Sequence, residues 1–394
     1  MIRRFCLAFV FFIVAGFNIY AQSSIAKTYH IGIFAPLYLD SVFSKDGNFL
    51  YKQNMPKFIM PGVDFVQGAE IALDSMNISE AMLSATIYDC KSTTEPVSSL
   101  IKNKKLDNLD LIIGSVKDAE YKQLAAFALH RNIPFISATY PNDGGVTGNP
   151  FLVILNSTLK SHCEAIYSYL VQNHGTDKIF LCRKKGAQED KVANYFKQIN
   201  EQDGKPLLNI QTLMYDSTVN SDVLKKKLDS NRQSVIIGAS LDEKFATSIV
   251  YACNDLHAQD YPITLIGMPN WDAFKELMDK DELADFPVYY TTPYFNNKSD
   301  EYSKLVINGY AHRYKGKPTD MSFKGFESVY LFAKLLLLYP NDILSHLNDK
   351  TYKVFSDYNF RPVILKKENS IPDYFENKHV YFIKILNGVA SKAW

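Results

Sequence analysis

Several short polar clusters, each following an apolar run, hold the side chains with which this sequence could do chemistry. They are Ser115, Val116, Lys117 and Asp118; Ser137, Ala138 and Thr139; Lys184 to Gln188; Ser240 with Leu241; and Asn270 with Trp271. Hydroxyls, amides and single charges of this kind hold a small polar molecule by hydrogen bonds and charge pairing; none forms an array that makes or breaks bonds. Asp118 reads either as the cap of the helix it opens or as a contact. Thr139 reads as a contact or as strand-end packing, and Trp271 as a face for stacking or a seal over a helix start. Nucleophile-elbow, phosphate-loop, zinc-protease and dinucleotide motifs are all absent. The histidines (His130, His162, His174, His257, His312, His346, His379) are scattered and read as surface or capping residues. Asp143-Gly144-Gly145 reads as a flexible crossing loop. Binding rather than catalysis is expected, with no cofactor and no metal.

The elements around those clusters alternate. Tyr29 to Pro36 is a buried-strand pattern ended by proline, and Pro61-Gly62 opens a helix whose Gly62, Val66, Ala69, Leu73 and Met76 form one stripe. Strands over Ala85–Asp89, Leu109–Val116 and Ile133–Thr139 follow, with a helix over Ala119–Asn132. The rhythm repeats from Phe151: strands over 151–155, 178–182, 209–215, 234–240 and 263–268, with helices over 158–174, 187–199, 219–228 and 241–257 between them. Strands rich in Ile, Val and Leu that alternate with helices imply parallel sheets covered on both faces. Two series imply an α/β chain of two doubly wound, Rossmann-like lobes, whose ligands sit beyond the strand C-termini. The tail adds a strand at 287–292, helices over 300–314 and 323–339, and two runs, Arg361–Lys366 and His379–Leu386. Charged and turn-forming residues separate those runs, which suits a hairpin completing one sheet. The expected division is 22–142 with 288–338 for the N-terminal lobe and 143–287 with 339–394 for the C-terminal lobe, joined by multiple crossing segments.

Tyr310-Ala-His-Arg313-Tyr314-Lys-Gly316-Lys-Pro318 and the following Gly325-Phe326-Glu327-Ser-Val-Tyr330 carry a more specific signal. With Ile112-Ile113-Gly114-Ser115 and Ile133-Pro134-Phe-Ile-Ser137-Ala138-Thr139, they resemble the type I periplasmic binding protein family in its Leu/Ile/Val-binding branch. The resemblance covers nearly all of the chain after residue 21. It implies a hinged cleft that takes a small-molecule ligand, and an inner-membrane ABC-type permease as partner. It also implies a hydroxyl near Asp118 for a ligand carboxylate, a second hydroxyl at Ser137 or Thr139, and an acidic residue near Asn270 for a ligand ammonium. This chain departs at both charge anchors, with Asp118 at one and Asn270-Trp271 at the other. Tyr38 to Met60 is an insertion rich in aromatics that either folds over the cleft mouth or offers a protein-binding face. The departures and the insertion keep open an alternative, an envelope interaction or regulatory protein that retains the fold without a transport ligand.

The 394 residues suit about two domains. A net charge of +1 without a basic block argues against nucleic acid or an anionic membrane as main partner. Arg3, Arg4, the apolar run Phe5–Phe17 and Ile19-Tyr20-Ala21 read as a signal peptide cleaved near Ala21, hence export to the periplasm with no membrane span afterwards. Cys90, Cys163, Cys182 and Cys253 lack metal-ligand spacing and read as buried thiols, with a disulfide the alternative. The sequence carries no reading of oligomeric state.

Overall fold

The computed structural model describes residues 27–394 apart from 53, 80–81, 202–203, 279–282, 284, 367 and 369. The signal-peptide reading, 1–21, lies outside the described residues. In chain order the main elements are β1 (Tyr29–Ala35), α1 (Met60–Met76), β2 (Leu83–Asp89), β3 (Leu111–Gly114), α2 (Asp118–Arg131), β4 (Phe135–Ser137) and β5 (Leu152–Ile154). Then come α3 (Leu159–Asn173), β6 (Lys178–Lys184), α4 (Ala187–Asn200), β7 (Ile210–Tyr215), β8 (Ser234–Gly238), α5 (Glu243–His257), β9 (Ile263–Ile266) and β10 (Val288–Thr292). The chain ends with α6 (Glu301–Tyr314), α7 (Asp320–Leu338), β11 (Phe360–Val363), β12 (Tyr374–Asn377), β13 (Tyr381–Leu386) and β14 (Val389–Lys392).

Two seven-stranded sheets result, ordered β11-β12-β5-β4-β3-β1-β2 and β14-β13-β10-β9-β8-β6-β7. Every residue of LIIG in β3 and SVIIG in β8 is buried, because helices cover both faces of a parallel sheet and leave no polar side to alternate. The two-lobed α/β architecture expected from the sequence is therefore present. No helix among the described residues is long and apolar enough to cross a membrane.

The expected lobe boundaries differ from the pairing at several strands. β5, placed by sequence in the second series, lies parallel between β4 and β12 in the first sheet. β10 belongs to the second sheet, beside β9 and β13. The two C-terminal runs do not form one hairpin. β11 pairs with β12, a strand hidden in the segment read as a turn, while β13 pairs with β14. The reason is that β12 ends in Glu376 and Asn377, which look like loop residues yet are buried because backbone N–H groups of Thr158 and Asn359 satisfy their side chains. The chain thus crosses between sheets three times, after β5, after β10 and after β12.

The first lobe is locked where α1 meets α7. A Cβ on Gly68 would lie 1.8 Å from the Ser322 carbonyl oxygen, and one on Gly325 would lie 2.0 Å from that of Phe65. Both glycines therefore exist for close backbone approach, and Gly325 opens the Gly-Phe-Glu motif. The insertion is tied down by Asp89, whose carboxylate accepts the backbone N–H groups of Leu37, Tyr38 and Leu39. Its Phe43, Phe49, Leu50, Tyr51, Met55 and Phe58 remain exposed.

Cys90, Cys163, Cys182 and Cys253 are free and buried, and burial pushes their thiols up, Cys90 and Cys182 to about 12. Iodoacetamide at neutral pH should therefore leave all four unmodified in the native protein and alkylate all four after denaturation, read by mass spectrometry. Gly325→Ala should cost about 1–3 kcal/mol of stability by overpacking, measured in urea unfolding. Gly175→Ala, whose nearest contact would be an ordinary 3.5 Å, should change little.

Candidate functional site

A cavity of about 610 Å³ opens where the strand C-termini of the two lobes face each other. The first lobe contributes Tyr140 to Asp143 after β4, Val363 and Leu365 at β11, Tyr374 and Glu376 on β12, and Lys324 on α7. The second contributes Gln188, Lys191 and Tyr195 on α4, Leu241 after β8, and Pro269, Asn270 and Asp272 after β9. All three crossings line the floor, through Asn156 to Thr158, Thr292 to Tyr294, and Lys378.

The floor is polar and internally satisfied. The Glu376 carboxylate accepts from the Thr158 N–H and the Ser161 hydroxyl, each at 2.7 Å, and pairs with Lys378 at 2.9 Å. Burial works to raise its pKa, but Lys378 and those donors hold it below the usual value. Lys378 also reaches Glu164, on second-lobe helix α3, at 3.3 Å. His162, buried beside this network, shares a 2.8 Å hydrogen bond between Nδ1 and the Thr291 hydroxyl. Burial pushes its imidazole down to about 4.

The expected site residues divide. Gln188 and Asn270 line the cavity, and Ala138 lines a small adjoining pocket with Asn156, Tyr294 and Lys324. Ser115 and Thr139 meet at the ends of β3 and β4, hydroxyl to hydroxyl at 3.0 Å, outside the cavity lining. Val116 and Ser137 are buried in the first lobe. Lys117 and Asp118 are exposed, and the capping reading of Asp118 is not met: the helix start has no side-chain cap. Asp118 instead holds a left-handed backbone, φ 59°, uncommon for a residue with a side chain. Its charge is felt at Tyr140, whose phenol is raised by burial first and by Asp118 second.

Trp271 does not face a ligand. It is fully buried, filling the slot left by Gly238 and Gly267, where a Cβ would lie 2.4 and 2.1 Å from its ring. Its indole N–H donates to the Ser240 carbonyl at 3.0 Å, and the Ser240 hydroxyl donates to Glu189 at 2.6 Å. Ser240 and Trp271 therefore seal the second lobe behind the cleft. Sequence reasoning missed Lys324, Tyr140, Tyr294 and Tyr374; the lysine directly before Gly325-Phe326-Glu327 was the available signal, since that motif locates the helix. None of the insertion's described residues lines the cavity. Among the described residues no group of three His, Cys, Asp or Glu is placed to hold a metal ion.

The family profile described as periplasmic binding protein matches residues 59–337. No curated protein matches the chain. Among solved structures, it is similar to a branched-chain amino acid ABC transporter protein from Rhodospirillum rubrum at 12% identity and a TM-score of 0.67, covering 93% of this chain and all of that one. A branched-chain amino acid ABC transporter periplasmic ligand-binding protein from Burkholderia xenovorans aligns at 12% identity and 0.61, over 93% and 95%. An ABC transporter substrate-binding protein from Desulfitobacterium hafniense, in complex with Leu, aligns at 14% and 0.55, over 93% and 100%.

His162 gives a pH prediction. Its folded pKa lies below the unfolded value of 6.5, so the unfolded chain binds more protons between these values. Its contribution is intact above pH 6.5 and is lost as pH falls toward 4, by about 3 kcal/mol. Urea unfolding of wild type and His162→Gln over that range should show a shallower pH slope in the variant.

Proposed function

The chain belongs to the periplasmic binding protein family, and from that premise we propose that it captures a small polar solute, amino-acid-like or peptide-like, for an ABC-type importer. The observation that carries this reading is the cavity at the strand C-termini of two facing lobes, where doubly wound sheets place their ligands. Its size falls within the range that holds small ligands, and hinged closure would strip water from whatever it takes. The chain acts after export, with the leader removed near Ala21, and releases its solute unchanged. Resemblance to transporter proteins supports the permease as partner.

A second reading, an envelope interaction protein, is favoured by one observation, the exposed aromatics of the insertion. Large exposed apolar patches mark contact surfaces. The two separate cleanly. A ligand present at a hundred times its dissociation constant stabilises the folded state by about 2.7 kcal/mol. Thermal unfolding against amino acids, short peptides and cell-wall fragments should therefore reveal at least one solute that raises the midpoint by several degrees. A flat response across the panel would sink the transport reading.

A further inference from the structure

We propose that the insertion between β1 and α1 is a membrane-docking surface, and that its partner is a bilayer carrying anionic lipid headgroups. The inference goes beyond the solute-binding reading and is independent of it.

The base of the insertion is fixed. Asp89 holds the N–H groups of Leu37, Tyr38 and Leu39. Asp40 ties the same turn to the loop after β2, where its carboxylate accepts the Thr93 N–H at 2.6 Å, the Thr94 N–H at 3.0 Å and the Ser92 hydroxyl at 2.9 Å. Val42 and Ile59, toward its two ends, are buried. Between them the chain folds back on itself: Phe43 and Phe49 form an antiparallel bridge, and the Leu50 N–H donates to the Val42 carbonyl at 2.9 Å. Phe43, Phe49 and Tyr51 follow one another with ring centroids 5.8 Å apart, and the Phe58 ring meets Tyr38 edge-on at 5.2 Å. These rings are held in place and still face water. From Lys45 to Phe58 every described residue except Pro56 is exposed, Leu50 by 56%.

The charges name the partner. That stretch carries Lys45, Lys52 and Lys57 against one acid, Asp46, and no arginine. Protein contact surfaces are enriched in aromatics, methionine and arginine but depleted of lysine. Segments that lie in a bilayer interface combine Phe, Tyr and Leu with lysines, the rings seated at headgroup level and the ammonium groups against anionic lipid. The mixture here is the second kind. The overall charge of +1 does not oppose it, because the field of an anionic leaflet fades within a Debye length, about 10 Å at 0.1 M salt, and acts on the nearest charges alone. The position also fits. β1 and β2 form the outer edge of the first sheet, and the insertion leaves β1 at its C-terminal end, on the cleft side. Docking there turns the cleft side of the first lobe to the bilayer, while none of the insertion's described residues enters the cavity.

Co-sedimentation with lipid vesicles tests this on residues 22–394, which hold every described element and lack the apolar run Phe5–Phe17 that could enter a bilayer by itself. At about 0.1 M salt, vesicles of phosphatidylethanolamine and phosphatidylglycerol should bind at least tenfold more tightly than vesicles of phosphatidylcholine. Raising the salt to about 1 M, where the Debye length falls to about 3 Å, should weaken that binding severalfold. Two variants remove the two halves of the surface: Leu50→Ser with Phe58→Ser, and Lys45→Gln with Lys52→Gln and Lys57→Gln. Each should weaken binding at least tenfold. Lys226→Gln with Lys227→Gln and Arg232→Gln makes the same charge change on an exposed stretch of the second lobe and should leave binding unchanged. Urea midpoints close to wild type show that the variants fold. No preference for anionic vesicles, wild-type binding in both insertion variants, or an equal loss in the second-lobe variant overturns the proposal. Without vesicle binding, a dimer in light scattering that the Leu50 and Phe58 changes dissolve assigns the surface to a second copy, and the absence of a dimer leaves it to another protein; the proposal fails in either case. The solute-binding reading is judged by its own thermal panel and survives each of these outcomes.

Discussion

Everything the cleft does depends on three peptide crossings that must run through a dry floor without orphaned backbone groups. Unpaired N–H and C=O groups in such a place cost as much as lost hydrogen bonds. Asn377 answers much of this requirement. Its amide nitrogen donates to the carbonyls of Leu155 and His379, its oxygen accepts from the N–H groups of Asn359 and His379, and its own carbonyl accepts from Ser157. One side chain thereby stitches the first crossing to the third. Glu376, next to it, performs the same service for the start of α3. The two lobes can be separate cores and still share a floor because these polar groups are satisfied where the chain passes.

The same residues explain what the sequence conceals. Apolar runs such as Leu111–Gly114 and Ser234–Gly238 announce buried strands, since nothing in them has to be compensated from elsewhere. Tyr374–Asn377 announces the opposite, because its polar members are paid for by partners more than two hundred positions away. Periodicity reads local chemistry, and this strand is defined by remote chemistry. β12 was missed for that reason, and β5 and β10 went to the wrong sheet because periodicity carries no strand order, while the two-lobed alternation was legible almost throughout.

The site was less legible than the fold. Trp271 carries the composition of a binding residue, yet two glycines at 238 and 267 draw it into the core. Lys324 carries the composition of a surface residue, yet the glycine contact between α1 and α7 sets its helix so that this turn meets the cavity. In both cases the deciding partners are small residues, some near in sequence and some remote, whose effect is the space they leave. Asn270, by contrast, was readable because it follows a strand end directly, and its amide donates to Leu241 at the neighbouring strand end.

A contrast in satisfaction then separates Glu376 and Lys378 from other groups of the cavity. Lys378 has partners on both sides of its crossing, Glu376 on the first sheet and Glu164 on α3. Asn270 Oδ1 and Tyr294 Oη, by contrast, are buried without a hydrogen-bond partner. Saturated groups gain nothing from a newcomer. Under the solute-binding reading, whatever favours one arrangement of the lobes has to act away from Glu376 and Lys378, because those groups are already satisfied.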